Sequence, residues 1–118
     1  LQESILHYSS ATAESGYLEY EHARVRWFLS IDAKHLPDDI KAKDQRTYRS
    51  VKVGEQEVEF SDGFTDLHTM SYQKILEGNG FNIEDSRVAI DTVSKIRNTK
   101  PLGKKGDYHP FVDRLSEL

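Results

Sequence analysis

The sequence predicts an α+β fold: an open-faced antiparallel β-sheet with helices packed on one face, built as a single domain over residues 1–118. Three observations carry this expectation. The first half alternates apolar and polar residues with a period of two. The period then changes to about 3.6 after Phe60, and two helical stripes follow. A chain of 118 residues is also long enough for one hydrophobic core, because about two-thirds of its unfolded surface can be buried at this size.

Ile5 to Ala13 reads as a strand, and Glu14-Ser15-Gly16 as a turn. Tyr17 to Glu21 and Arg24 to Asp32 alternate, and Glu21-His22-Ala23-Arg24 closes them as a hairpin. Along the second strand Val25, Trp27, Leu29 and Ile31 share one face, expected to be the core under the helices. Arg24, Arg26, Phe28 and Ser30 share the other. Ala33 to Asp44 reads as a surface loop with a helical turn after Pro37. Thr47 to Val53 and Gln56 to Phe60 form a second hairpin around Gly54-Glu55, with Val51, Val53, Val58 and Phe60 expected on its buried side.

Phe64, Leu67, Ser71, Tyr72, Ile75 and Leu76 form a helical stripe, with Ser61 or Asp62 as N-cap, Asp66 in the first turn and Gly78 as the C′ glycine. A second helix is expected from Ile83 or Glu84 to Arg97, with the stripe Ser86, Ala89, Ile90, Val93 and Ile96. Asn82 is its cap, and Lys95 and Arg97 lie where the helix dipole favours cations. Thr99 to Gly106 reads as a tail. The run Asp107-Tyr108-His109-Pro110-Phe111 is apolar enough to dock, on this chain or on a neighbour.

Composition narrows the function. The net charge of −4 argues against a nucleic-acid footprint, and no cysteine means no disulfide framework, thiolate metal site or cysteine nucleophile. The five histidines are scattered without metal-ligand spacing, so no metal is expected. No apolar run reaches the roughly 20 residues that span a bilayer, and no membrane partner is expected. The opening at Leu1, without an initiator Met, reads as a segment of a longer protein.

His68, Asp66 and Arg49 are the candidate substrate-pocket residues. His68 has no partner base in the sequence, so a locally packed helix residue is its competing reading. Asp66 also suits the helix dipole. Arg24, Arg26 and Arg49 could grip a diphosphate with their guanidinium forks, or pair across strands with Glu19, Glu21, Glu57 and Glu59. Tyr17, Arg24, Arg26 and Phe28 are the candidate oligomer face, since aromatics and Arg are enriched at protein contacts; a solvated face is the alternative.

The hairpin YLEYEHARVRWFLSID, the run TYRSVKVGEQEVEFSDGFTDLHTMSYQKIL, the segment GFNIEDSRVAIDTVSKIR and the tail GDYHPF occur in this order. Together they resemble the C-terminal domain of the Gfo/Idh/MocA oxidoreductases, and within them the bacterial UDP-N-acetyl-2-amino-2-deoxy-glucuronate dehydrogenases of surface-polysaccharide synthesis. The resemblance spans roughly Gly16 to Phe111. It implies a cytoplasmic NAD-dependent enzyme that oxidises the C3 hydroxyl of a nucleotide-sugar acid and assembles as a dimer or tetramer. Its dinucleotide would sit on an N-terminal Rossmann domain.

This chain has no Gly-x-Gly-x-x-Gly after a strand, no Glu-Lys-Pro and no Asn-Ile-Gly-Val-His. No catalytic or cofactor-binding residue is therefore assigned to it. The chain alone is expected to be inactive and not to bind NAD. A freestanding α+β interaction or small-molecule-binding module is the alternative.

Overall fold

The computed structural model describes residues 1–63 and 65–115. Among these it has antiparallel sheets and four α-helices, an α+β arrangement. The chain divides into two compact units, residues 1–35 with 86–118, and residues 36–85. No helix among the described residues is long and apolar enough to cross a membrane.

The first unit is built on a three-stranded antiparallel sheet of order β1-β2-β3: β1 is Glu3–Ser9, β2 Ala13–Glu19 and β3 Arg24–Ser30. The first turn falls at Ser10-Ala11-Thr12, not at Glu14-Ser15-Gly16. Ser10 closes it: its Oγ accepts the N–H of Thr12 at 3.3 Å and of Ala13 at 3.0 Å. Gly16 lies mid-strand for a steric reason. A Cβ there would sit 2.4 Å from the Ile5 carbonyl oxygen and 2.7 Å from the Trp27 ring, so only glycine fits between them. The second hairpin closes as expected, with the Tyr20 N–H on the Ala23 carbonyl at 2.8 Å. His7 is an extra residue in β1, a bulge between the pairs Leu6–Gly16 and Tyr8–Ser15.

The pairing of β2 with β3 sorts the two faces. Ala13, Ser15 and Tyr17 lie opposite Ser30, Phe28 and Arg26, so all six share one face. That face is the covered one: Ser15 is fully buried and Tyr17 is 7% exposed. On β3 the expected core face is thus largely open, although Leu6, paired with Gly16 on that face, is 4% exposed. Leu29 is 67% and Ile31 86% exposed, Val25 is exposed, and Trp27 is half-buried rather than core. The reason lies far away in sequence. The segment Leu102–Phe111 and the short helix α4 (Phe111–Leu115) supply the cover, with Val112 fully buried.

α3 (Ile83–Arg97) begins where expected. Asn82 and Asp85 form a reciprocal capping box: the Asn82 side chain accepts the Asp85 N–H at 3.1 Å, and the Asp85 carboxylate accepts the Asn82 N–H at 2.7 Å. Its buried residue is Thr92, with Ile96 half-buried one turn on. The expected inner stripe of Ala89, Ile90 and Val93 faces outward.

The second unit contains α1 (Asp38–Ala42), the hairpin β4 (Ser50–Val53) and β5 (Gln56–Glu59), and α2 (Leu67–Leu76). The helical turn after Pro37 and the Gly54-Glu55 turn stand as expected, and Gly54 takes φ +59°. Gly78 takes φ +78° past the end of α2, as a C′ glycine does. Two expectations fail here. Val51, Val53 and Val58 are exposed, although Val51 and Val58 pair directly across the hairpin. The α2 residues Leu67, Tyr72, Ile75 and Leu76 are exposed as well. Phe64, expected to join their stripe, lies outside the described residues. The helix starts at Leu67 rather than after Ser61 or Asp62, because Asp66 takes a left-handed φ of +58° and breaks the helical path just before it.

Candidate functional site

The three pocket candidates all fall in the second unit. Asp66 occupies the N-cap position of α2 in the left-handed conformation and makes no side-chain cap bond. His68 follows in the first turn, and both side chains are exposed. Arg49 lies just before β4, where its guanidinium reaches beside Gly63. The loop that precedes α2 therefore has two positive-φ positions, Gly63 at +78° and Asp66 at +58°. A non-glycine residue held in the left-handed region carries local strain, and such strain concentrates at functional loops.

Arg49 is anchored through its backbone. Its N–H donates to the Ser61 Oγ at 2.9 Å, and its carbonyl accepts the Phe60 N–H at 2.9 Å. Ser61 in turn donates to the Glu59 carboxylate at 3.0 Å, and Gln45 donates to that carboxylate at 3.3 Å and to the Thr47 carbonyl at 2.6 Å. Beside this ladder, Tyr48 donates a short hydrogen bond to Glu57, and Ser50 donates to the Tyr48 oxygen at 3.0 Å. The Tyr48 bond pulls Glu57 below the usual carboxylate range, and the same bond raises Tyr48 above the usual phenol range. At neutral pH Tyr48 is thus a fixed donor and Glu57 an ionised acceptor. The expected pairing of Arg49 with Glu57 or Glu59 is replaced by hydroxyl and amide partners. Ser61, Gln45 and Tyr48 were not singled out from sequence, since isolated Ser, Gln and Tyr residues carry no spacing signal.

The oligomer-face candidates lie in the first unit. Arg24 pairs with Glu19 across the hairpin at 3.4 Å, one of the cross-strand partners foreseen for it. Arg26 instead reaches Asp107 at 3.3 Å. Phe28 meets the rings of His109, Phe111 and His35, with centroids at 5.8, 5.5 and 6.1 Å. Tyr17 is buried. The face expected to seek a second copy is therefore occupied in part by the chain's own C-terminal run. Asp107 to Phe111 docks in cis, because Arg26 and Phe28 offer it a counter-charge and an aromatic surface.

The described residues do not fit a dinucleotide. Every strand pairs antiparallel, so no parallel strand leads through a glycine turn into a helix, and the N-terminus of α3 is filled by its own Asn82–Asp85 box. Among the described residues no three histidine or acidic side chains converge as metal ligands would.

No protein-family profile matches the chain. Among solved structures, it is similar to the WlbA (WbpB) dehydrogenase from Thermus thermophilus in complex with NAD and α-ketoglutarate. The identity is 43% and the TM-score 0.87, over 93% of this chain and 36% of that one. The complex of that dehydrogenase with NAD and UDP-GlcNAcA matches with 41% identity and a TM-score of 0.86, over the same shares. The likeness to a nucleotide-sugar dehydrogenase that the sequence motifs suggested is borne out. The chain spans 36% of the length of these relatives.

Proposed function

We propose that this chain is the C-terminal domain of a Gfo/Idh/MocA-type, NAD-dependent dehydrogenase that oxidises the C3 hydroxyl of a UDP-N-acetyl amino-sugar uronate. The observation that carries this reading is the 41% identity, across 93% of the chain, to a dehydrogenase solved with NAD and UDP-GlcNAcA. In this reading the two compact units serve as one domain of the parent. NAD binds to a Rossmann domain outside the 118 residues, because the antiparallel sheets here offer no phosphate-cradling turn. The parent works in the cytoplasm.

The substrate-pocket role falls to the second unit. Arg49 supplies a guanidinium suited to a diphosphate, Asp66 an exposed carboxylate on a strained loop, and His68 an exposed imidazole in the first turn of α2. Self-association falls to surfaces left open in the first unit. Val25, Leu29 and Ile31 on the outer sheet face replace Phe28 as the candidates, since Phe28 is engaged by His109 and Phe111.

Calorimetry on the isolated chain tests the division of labour. Titration with NAD is expected to give no binding heat. Micromolar NAD binding by the chain alone would overturn the assignment of the cofactor to the remainder of the parent.

A further inference from the structure

The segment Leu102–Phe111 is a strap laid across the first unit. It starts on the free edge of β1, where the N–H groups of Leu102 and Gly103 donate to the carbonyls of Leu6 and His7 at 2.7 and 3.0 Å. The buried His7 ring hydrogen-bonds through Nε2 to the Lys105 carbonyl at 2.9 Å and meets Tyr108 edge-on at 6.1 Å. The strap then crosses to β3 through Asp107–Arg26 and closes on Phe28 with His109 and Phe111.

His109 sits at the closing point. Its Nδ1 accepts the Phe111 N–H at 3.1 Å, which orders the first turn of α4. A backbone N–H is only a donor, so this bond requires an Nδ1 that carries no proton. The other side of the ring rests on aromatic carbon, with Phe28 at 5.8 Å and tilted by 30°, and Phe111 at 5.1 Å and nearly perpendicular.

We propose that the strap is a proton-released latch: it lies across the sheet while His109 is neutral and lifts away when His109 gains its second ring proton.

Three effects oppose that second proton in the docked state. It removes the acceptor for the Phe111 N–H. It places a cation in a half-buried aromatic seat. It sets that cation beside the guanidinium of Arg26 on β3, with a second guanidinium, Arg114, 4.9 Å above the Phe111 ring on α4. The acidic group near this seat, Asp107, is already committed to Arg26 at 3.3 Å, and Asp113 of α4 is held by Lys104 at 3.2 Å. Tyr17 on β2 is neutral in this range, and His35 beside Phe28 is held by Ser30 at 2.6 Å. Burial first, and Arg26 second, push His109 below the ordinary imidazole range, in the direction the geometry requires. The sign follows from linkage. The released strap binds the proton more readily, so the His109 contribution to docking is complete above about pH 6.5 and is lost progressively as pH falls below it.

The test is backbone amide relaxation of residues 102–111 in the full chain, followed from pH 7.5 to pH 5 alongside the His109 ring resonances. The heteronuclear NOE of the strap is expected to fall, at the same midpoint as the His109 titration. In His109→Asn, whose amide oxygen keeps an acceptor near Nδ1, and in His109→Phe, which keeps a ring, the NOE is expected not to change with pH. A strap whose NOE stays high while His109 titrates fully would overturn the proposal. So would an unchanged acid release in both variants, which would assign the proton to His7 or His35.

Discussion

Gly16 of β2 lies directly beneath the indole of Trp27 on β3, with room between them for no side-chain atom. The pair Gly16–Trp27 is also a register pair of the sheet, so one glycine fixes both the approach of the ring and the alignment of the strands. Gly16→Ala would drive a methyl into the Ile5 carbonyl and the ring at once. We expect a loss of about 1–3 kcal/mol, as for an overpacked site, read as a lower urea midpoint. An unchanged midpoint would mean that the indole does not rest there.

The strap depends on Phe28. Phe28→Ala removes the ring that His109 and Phe111 share, and each aromatic contact is worth about 0.5–1.5 kcal/mol beyond its burial. The expected result is faster hydrogen exchange at Leu102 and Gly103, whose N–H groups are bonded to β1. Protection equal to that of the unsubstituted chain would show that the strap is held without this cluster.

The start of α3 rests on its capping box. Asn82→Ala deletes the acceptor for the Asp85 N–H and should cost about 0.5–2 kcal/mol. The change is read by thermal melting of the helical circular-dichroism signal. Asn82→Asp should recover most of the loss, because it restores a side-chain oxygen at the cap.

Much of this was legible in the sequence. The hairpin turns at Glu21-His22 and Gly54-Glu55, the span of α3, its Asn82 cap and the Gly78 stop all depend on residues within four positions of each other. What the sequence did not carry was which face of β3 is covered. Alternation separates Val25, Trp27, Leu29 and Ile31 from Arg26 and Phe28, but it does not say what comes to lie on either set. Here the covering segment sits roughly eighty residues downstream, and it selects the Arg26–Phe28 face by charge and ring stacking. Gly16 reads as a turn residue for a related reason. A glycine forced by a close cross-strand ring looks, in one dimension, like a glycine forced by a turn. Among the pocket candidates, Asp66 reads in the sequence as a first-turn helix residue, and its left-handed backbone places it just outside the helix.

Asp66 is strained in a way that separates fold from function. Asp66→Ala should destabilise the second unit by about 1 kcal/mol, whereas Asp66→Gly should be neutral or slightly stabilising, since glycine takes φ +58° without penalty. If the glycine variant of the parent also loses turnover with the fold intact, the carboxylate itself serves the substrate.

The Tyr48–Glu57 bond gives the β4–β5 hairpin a pH dependence of known sign. Glu57 is held below its ordinary range by the phenol, so this contribution is complete above the ordinary carboxylate range and fades as pH falls through the lowered value. Tyr48→Phe should raise the Glu57 side-chain titration, followed by carbon NMR, toward the ordinary range, with Ser50 and Lys52 still lowering it. A midpoint that does not move would remove Tyr48 as the cause.

The proposed assignment of these 118 residues to a dehydrogenase for a nucleotide-sugar acid is tested by turnover of the proposed parent protein. With UDP-N-acetylglucosaminuronate and NAD, NADH formation is expected, and it is expected to be lost when Arg49 is replaced by Ala while the protein remains folded. A folded parent that reduces no NAD with this sugar or with other UDP-sugar acids would contradict it.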